Sequence, residues 1–548
     1  MRTAERSDRI APRPLGSLRP RSSQADRGAL RDPSRQSEPR GAYLQWAKHP
    51  GIVEDSPDQG CAVCLGAARI AARVRGGEPV LGAIRRGWNR LLGTPPATID
   101  TIEPGSIVIA PRKPIDLHDE AAITEVLDLA ARIGALLLDA GTGAIDTAHQ
   151  VEFVAAFYGL EDVDVDVTFN TVLICARRGS TLPPITSSRS VNYRSLDFTR
   201  LAQVDRLVRR IRRSAIAPAT AHRIVDEITA APHPYPRWIA TLAWGLLALG
   251  IGIYLGGTWV VCLTAFATTV VIIVVNRQLN RIGTPPFFQQ MAGGFLAVLP
   301  AALLYPVLEG SGLGFRPAQI IAAGIVVLLS GLTLVGAVQD AITGAPITGT
   351  ARVTEVVVMT GGIMVGVALS IRFVGLFDVH LPTITTVAPF GAADIPARVF
   401  GGSLAAFAFA LASYAERRAL PAAFIAGAIG SGVTASLYLT DLGPIFAYAA
   451  AAIIIGFVGG IAARRSLTPP LVIAVAGITP LLPGLAIYRG MYGLMTDAGA
   501  AGTREMATAF GVGCALAAGV TLGEFIARTV RKPQLPQLPR ALMRARRP

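Results

Sequence analysis

Two stretches of this 548-residue chain place groups capable of chemistry inside otherwise apolar sequence. The first, Leu332 to Val353, reads LTLVGAVQDAITGAPITGTARV. It holds an amide (Gln339), a carboxylate (Asp340), the hydroxyls of Thr343, Thr348 and Thr350, and Pro346. The second puts Gly477, Thr479, Pro480, Pro483 and Gly484 within eight residues, with Tyr488 and Arg489 just beyond. Proline inside a helix removes a backbone hydrogen bond and costs about 3 kcal/mol. Two in one apolar run imply an unwound stretch whose freed amides and carbonyls can hold a small zwitterion. A carboxylate suits an ammonium; Arg489 or helix N-terminal amides suit a carboxylate. The expected binding residues are therefore Gln339, Asp340 and Thr343 from the first stretch, and Thr479, Gly484, Tyr488 and Arg489 from the second. Coupling to protons needs an acid whose affinity changes with its surroundings, and Asp340, Glu355 and Glu524 are the candidates. Plainer readings stand beside these. The first stretch could be a loop with Asp340 at the water interface. The second could be a kinked, inert helix. Glu355 and Glu524 could be interfacial partners of Arg352 and Arg528.

The elements that must position these groups are membrane spans. Charged residues make up only 16% of the chain and hydrophobic ones 51%, with a mean hydropathy of +0.47. Ordinary globular chains carry about 25% charged residues. From Arg237 onward, ten apolar runs follow, at approximately 238–255, 258–275, 288–308, 317–338, 353–373, 397–415, 420–438, 444–463, 468–488 and 506–527. Each is near the roughly 20 residues that cross a hydrocarbon core. Arginines crowd alternate connections (Arg277 and Arg281, Arg352, Arg417 and Arg418, Arg464 and Arg465) and the C-terminal tail, which places both termini in the cytoplasm. The net charge of +14 follows this flanking pattern and is no nucleic-acid signature. Ten spans divide into five and five, so the second half is expected upside down relative to the first. The two interrupted runs, the fourth and ninth, fall at equivalent places.

Before the spans, residues 1–115 form an Arg-, Pro- and Ser-rich tail without apolar periodicity, expected to be disordered. It contains Cys61 and Cys64, a CxxC with no second ligand pair nearby, so no zinc site follows. Leu65–Leu92 reads either as a basic helix lying on lipid or as a solvated tail. Residues 116–236 read as a small α+β domain: helices near 119–139, 146–158, 196–213 and 219–231, and a hairpin of 163–168 with 171–176. Asp162, Asp164 and Asp166 share one strand face, which a solvated surface explains without a metal. No nucleotide-binding loop or hydrolase motif is present, so an enzyme is not expected, nor any cofactor or metal. The remaining divisions are 237–373 and 397–527 for the two halves, 374–396 for an extracytoplasmic connection, and 528–548 for a basic cytoplasmic tail.

The segments LLLDAGTGAIDTAHQVEFVAAFYGL, LVGAVQDAITGAPITGTARV and AGITPLLPGLAIYRGMYGL, in this order, resemble the threonine/serine exporter family of bacterial inner-membrane carriers. The likeness covers roughly residues 118–530. It implies efflux of L-threonine and L-serine driven by the proton motive force, with both halves fused in one chain. It also implies an α-helical polytopic membrane protein of about ten helices in two inverted five-helix halves, with the α+β domain in the cytoplasm. The implied partners are small-molecule substrate, protons and membrane lipids; a homo-oligomer stays open. Three rival classes remain: an exporter of another metabolite such as a dicarboxylate, a channel, and a membrane-anchored sensor.

Overall fold

Asp119 fixes the start of the first helix. Its side chain accepts from the amides of Ala121 and Ala122, both at 3.1 Å, which have no partner within the helix. The computed structural model describes residues 115–530 except 192–195, 215, 309–314, 329–330, 378–390, 441, 467 and 496–498. The Cys61/Cys64 pair, Leu65–Leu92 and both arginine-rich tails lie outside the described residues.

Helix α1 (Glu120–Asp139) buries Ile123, Val126, Leu127, Ala130, Ile133 and Leu137, spaced at three and four residues. It packs on α2 (Ala144–Phe157) and on an antiparallel sheet ordered β1-β2-β3. The strands are β1 (Val163–Thr168), β2 (Thr171–Arg178) and β3 (Leu182–Ser190). The β1–β2 hairpin has the expected register, from Val163 opposite Ala176 to Thr168 opposite Thr171. The third strand is a correction to the sequence reading. Its segment, LPPITSSRS, carries two prolines and almost no apolar alternation, which an edge strand tolerates. The acidic face of β1 is exposed, and Asp162 and Asp164 pair with Arg177 across the hairpin. Helices α3 (Phe198–Ser214) and α4 (Pro218–Ala230) complete the domain.

The apolar runs form α5 (Arg237–Tyr254), α6 (Trp259–Arg281), α7 (Pro286–Leu308), α8 (Pro317–Leu328), α9 (Gly331–Thr343), α10 (Pro346–Gly375), α11 (Ile395–Ala412), α12 (Leu420–Tyr438), α13 (Pro444–Ser466), α14 (Pro470–Ile478), α15 (Gly484–Met495) and α16 (Gly499–Val530). Among the described residues, eight helices are long and apolar enough to cross a membrane. The count is ten if α8 with α9, and α14 with α15, each make one bent span; their bends are 51° and 46°. The break in the fourth run falls before Thr333, so Leu332–Val353 is helical apart from Gly344 and Ala345. At the ninth, Thr479–Leu481 tightens to a 3₁₀ turn, Leu482 is extended (ψ 136°), and Gly484 restarts the helix. Pro480 and Pro483 account for that unwinding.

Packing in one half reproduces packing in the other. The α5–α6, α7–α10, α9–α10 and α8–α5 contacts have counterparts in α11–α12, α13–α16, α15–α16 and α14–α11. Small residues let the backbones touch, as membrane helix pairs require. A Cβ on Gly294 would stand 2.5 Å from the Ile363 carbonyl oxygen, and one on Gly456 would strike that of Val520. The halves join along α5 and α11, the most enclosed of the long helices. A Cβ on Gly401 would stand 2.5 Å from the Tyr254 amide nitrogen.

The α+β domain is fastened to the turn between α11 and α12. Arg206 donates to both oxygens of Glu416, at 2.6 and 3.1 Å, with Arg206 almost fully enclosed. Burial pushes the Tyr235 hydroxyl up to about 12, so it stays neutral and donates to the Ala415 carbonyl at 2.8 Å. Removing one partner of a buried ion pair costs about 3–5 kcal/mol, because the other charge is left uncompensated. Glu416→Leu should lower the unfolding temperature of the purified protein, and adding Arg206→Met should recover most of the loss. Equal melting curves for the single and double variants would contradict the pairing.

Candidate functional site

The two bent spans meet. Helix α8 of the first half packs on α15 of the second, with Gly484 at the closest approach. A Cβ there would strike Val326 and stand 3.3 Å from the Ala322 carbonyl oxygen. Beside this contact lies a cavity of about 870 Å³, walled by both halves. That size falls within the roughly 300–1,000 Å³ typical of small-molecule sites. Its walls include the C-terminal ends of α5 (Tyr254) and α12 (Tyr438) and the N-terminal ends of α8, α11 and α16. The α+β domain meets the opposite ends, beside the start of α5 and the end of α9. The cavity therefore belongs to the distal end of the bundle, and the domain to the proximal end.

Four arginines line the cavity, Arg316, Arg398, Arg489 and Arg504, against one acid, Glu505. The Arg398 guanidinium lies over the Tyr254 ring, 5.9 Å from its centroid, a cation–π geometry. The Nε of Arg489 is buried with no hydrogen-bond partner among the described residues, and so is the Oε1 of Gln319. The Gln319 amide nitrogen donates to the Leu255 carbonyl at 2.9 Å, which fixes the side chain. Pro483 to Ala486, the first turn of α15, also faces the space. A helix N-terminus carries partial positive charge. The arrangement thus presents a strongly positive pole beside a fixed, unused acceptor and a group of tyrosines.

Of the residues expected from sequence, Gly484, Tyr488 and Arg489 line this cavity. Thr479 is buried behind it, its hydroxyl donating to the Val475 carbonyl at 2.8 Å. Gln339, Asp340 and Thr343 lie at the proximal end of α9. Asp340 is fully buried there: one oxygen accepts from the Ala144 amide at 2.9 Å, and the other pairs with Arg352. The cause is local. Gly143 is the N-cap residue of α2 and has no side chain to cap it, so Asp340 supplies the oxygen from 196 residues away. Thr343 is exposed and bonds back to Gln339, its hydroxyl 2.9 Å from that carbonyl. Glu355 is half-buried in α10 beyond Arg352. Glu524 is buried in α16, 3.7 Å from Arg528, whose guanidinium also lies 3.6 Å from Asp146 of α2.

Sequence reasoning missed Gln319, Tyr254, Glu505 and the cavity role of Arg316 and Arg398. From sequence, Arg398 reads as an interface anchor snorkelling from a helix end, and Arg316 only as a residue of an outer connection. The available signal was that arginines at several span ends on one side are accompanied by Tyr254, Tyr438 and Tyr448.

Two family models match in succession, both described as threonine/serine exporter (ThrE), over residues 128–374 and 398–526. A Corynebacterium glutamicum protein named "Threonine/serine exporter" is 44% identical over 425 residues, covering 77% of this chain and 87% of its own length. A Mycobacterium tuberculosis protein named "Probable threonine/serine exporter" is 40% identical over 422 residues, covering 76% and 78%. No solved structure matches. With two adjoining domain matches and relatives this similar over most of their length, the chain belongs to the threonine/serine exporter family.

Proposed function

We propose that this protein exports L-threonine and L-serine from the bacterial cytoplasm across the inner membrane, driven by the proton motive force. Both termini and the α+β domain lie in the cytoplasm in this reading, so the cavity faces outward. The observation that carries it is the cavity at the meeting point of the two bent spans, with charged and polar groups from both halves. The names of the relatives supply the substrate class. The substrate carboxylate lies against Arg489 and the first turn of α15. Its ammonium is received by the Gln319 Oε1, the tyrosine hydroxyls and Glu505. Asp340 makes no contact with it.

Reconstituted counterflow tests the assignment. Vesicles loaded with unlabelled threonine should accumulate labelled threonine and serine, and an imposed pH gradient should drive net flux. Accumulation of labelled succinate by succinate-loaded vesicles, with no counterflow of threonine, would instead favour the dicarboxylate reading, to which the excess of arginine lends weight.

Glu524 is the proposed coupling group. A carboxylate in a membrane helix is costly and is characteristically functional. Glu524→Gln should retain threonine counterflow while losing most of the flux driven by a pH gradient. Undiminished gradient-driven flux would remove Glu524 from the mechanism.

A further inference from the structure

We infer that the α+β domain is the proximal gate of the carrier, and that the capping of α2 by Asp340 is the latch that opens in each cycle. The inference rests on the proposed function only in taking the chain to be a carrier. A carrier that exposes its site alternately must close one end while the other is open. Here the cavity lies at the distal end, and the proximal ends of both halves are tied to one folded domain.

The two attachments differ in kind. On the second half, the α11–α12 turn is held by the Arg206–Glu416 pair and by the Phe198 amide donating to the Ser413 carbonyl at 3.0 Å. The Thr199 hydroxyl donates to the Tyr414 carbonyl at 2.5 Å, and the His233 ring stacks on Tyr414 at 4.3 Å. On the first half, polar contacts to the α9–α10 turn include two from small groups. One is Asp340 with the Ala144 amide. The other is the Thr348 hydroxyl, which donates to the Val167 carbonyl at 3.2 Å and accepts from the Phe169 amide at 3.0 Å.

This second attachment is built to release. The α2 amide and the Thr348 hydroxyl can exchange their partners for water, which makes the net loss of each bond small. Asp340 keeps Arg352 beside it when the domain lifts, so no buried charge is stranded. The bend between α8 and α9 lies in the same span, so movement of the proximal half need not displace the distal half. Release therefore occurs at α9–α10, while the domain stays on the second half.

A reversible cross-link tests the latch. A Cβ on Gly143 would lie 3.2 Å from the Asp340 Oδ1, so Gly143→Cys with Asp340→Cys, in a chain otherwise free of cysteine, brings two thiols together. The expected result is disulfide formation on mild oxidation, at least a tenfold fall in threonine counterflow, and recovery on reduction. Failure of the bond to form, or full cross-linking with unchanged flux, would overturn the inference.

A second readout needs no substrate. Thr434→Cys, buried in the cavity wall, reports distal access through its maleimide labelling rate in detergent. Asp340→Ala and Thr348→Val should each slow that labelling about threefold or more, because loosening the proximal end populates the state closed distally. Labelling unaffected by both would overturn the gate. If threonine shows no flux in the wild-type protein while the labelling shifts as expected, the substrate assignment fails and the gate stands.

Discussion

Arg489→Ala is expected to lower kcat/KM for threonine counterflow by about a hundredfold. Truncating one member of a buried charged pair costs about 2–5 kcal/mol, and each 1.36 kcal/mol is a factor of ten. Arg489 carries a buried Nε without a partner among the described residues, on a helix whose first turn faces the same space. A substrate carboxylate would complete that hydrogen bonding. Arg489→Lys keeps the charge and loses the planar fork, so it should fall between wild type and alanine. The unfolding temperature separates this from misfolding: the alanine variant should show its reduced rate with the same melting point as wild type. If the alanine and wild-type proteins transport with equal KM and kcat, the positive pole does not bind substrate.

Gly366→Val and Gly523→Val are expected to abolish the folded carrier. A Cβ on Gly366 would strike the Met291 carbonyl oxygen and stand 2.8 Å from the Phe295 amide nitrogen. One on Gly523 would strike the Ile453 carbonyl oxygen and stand 2.8 Å from the Phe457 amide nitrogen. Overpacking costs about 1–3 kcal/mol where side chains can yield. Here the obstacle is backbone, and the helices themselves must part. Gly361→Ala is the internal control, since nothing lies within 4 Å of its added methyl. It should be neutral or stabilising by about 0.5–1 kcal/mol, the helix preference of alanine over glycine. Size-exclusion profiles and melting curves of the three variants decide the matter. Monodisperse Gly366→Val protein with wild-type stability would show that α7 and α10 do not cross there.

The spans were legible in the sequence because lipid leaves a helix no alternative, and twenty apolar residues announce one. Pro480 and Pro483 likewise announced the ninth break, which the structure places between Thr479 and Gly484. The fourth break was expected within Leu332–Val353 and lies just before it, because Gly344 and Pro346 serve a turn between two helices instead. Strand β3 escaped notice because an edge strand needs no apolar alternation. Asp340 is the instructive case. Its type and apolar setting were read as a path-lining group or as a carboxylate at the water interface; it is buried, and its partner is an amide of α2, 196 residues earlier. Local sequence carries no trace of such a pairing. Arg398 read as a lipid anchor for a related reason: whether a helix end faces lipid or a cavity depends on which helices pack beside it.

The proposed substrate path is tested most directly by protection at Ala486, which lies in the cavity wall between Gly484 and Arg489. Ala486→Cys, in a chain otherwise free of cysteine, would be labelled with a small thiol reagent in detergent, with and without L-threonine. The account predicts that saturating L-threonine slows labelling at least tenfold while L-leucine does not. Equal labelling rates in a protein that still transports threonine would place the substrate elsewhere.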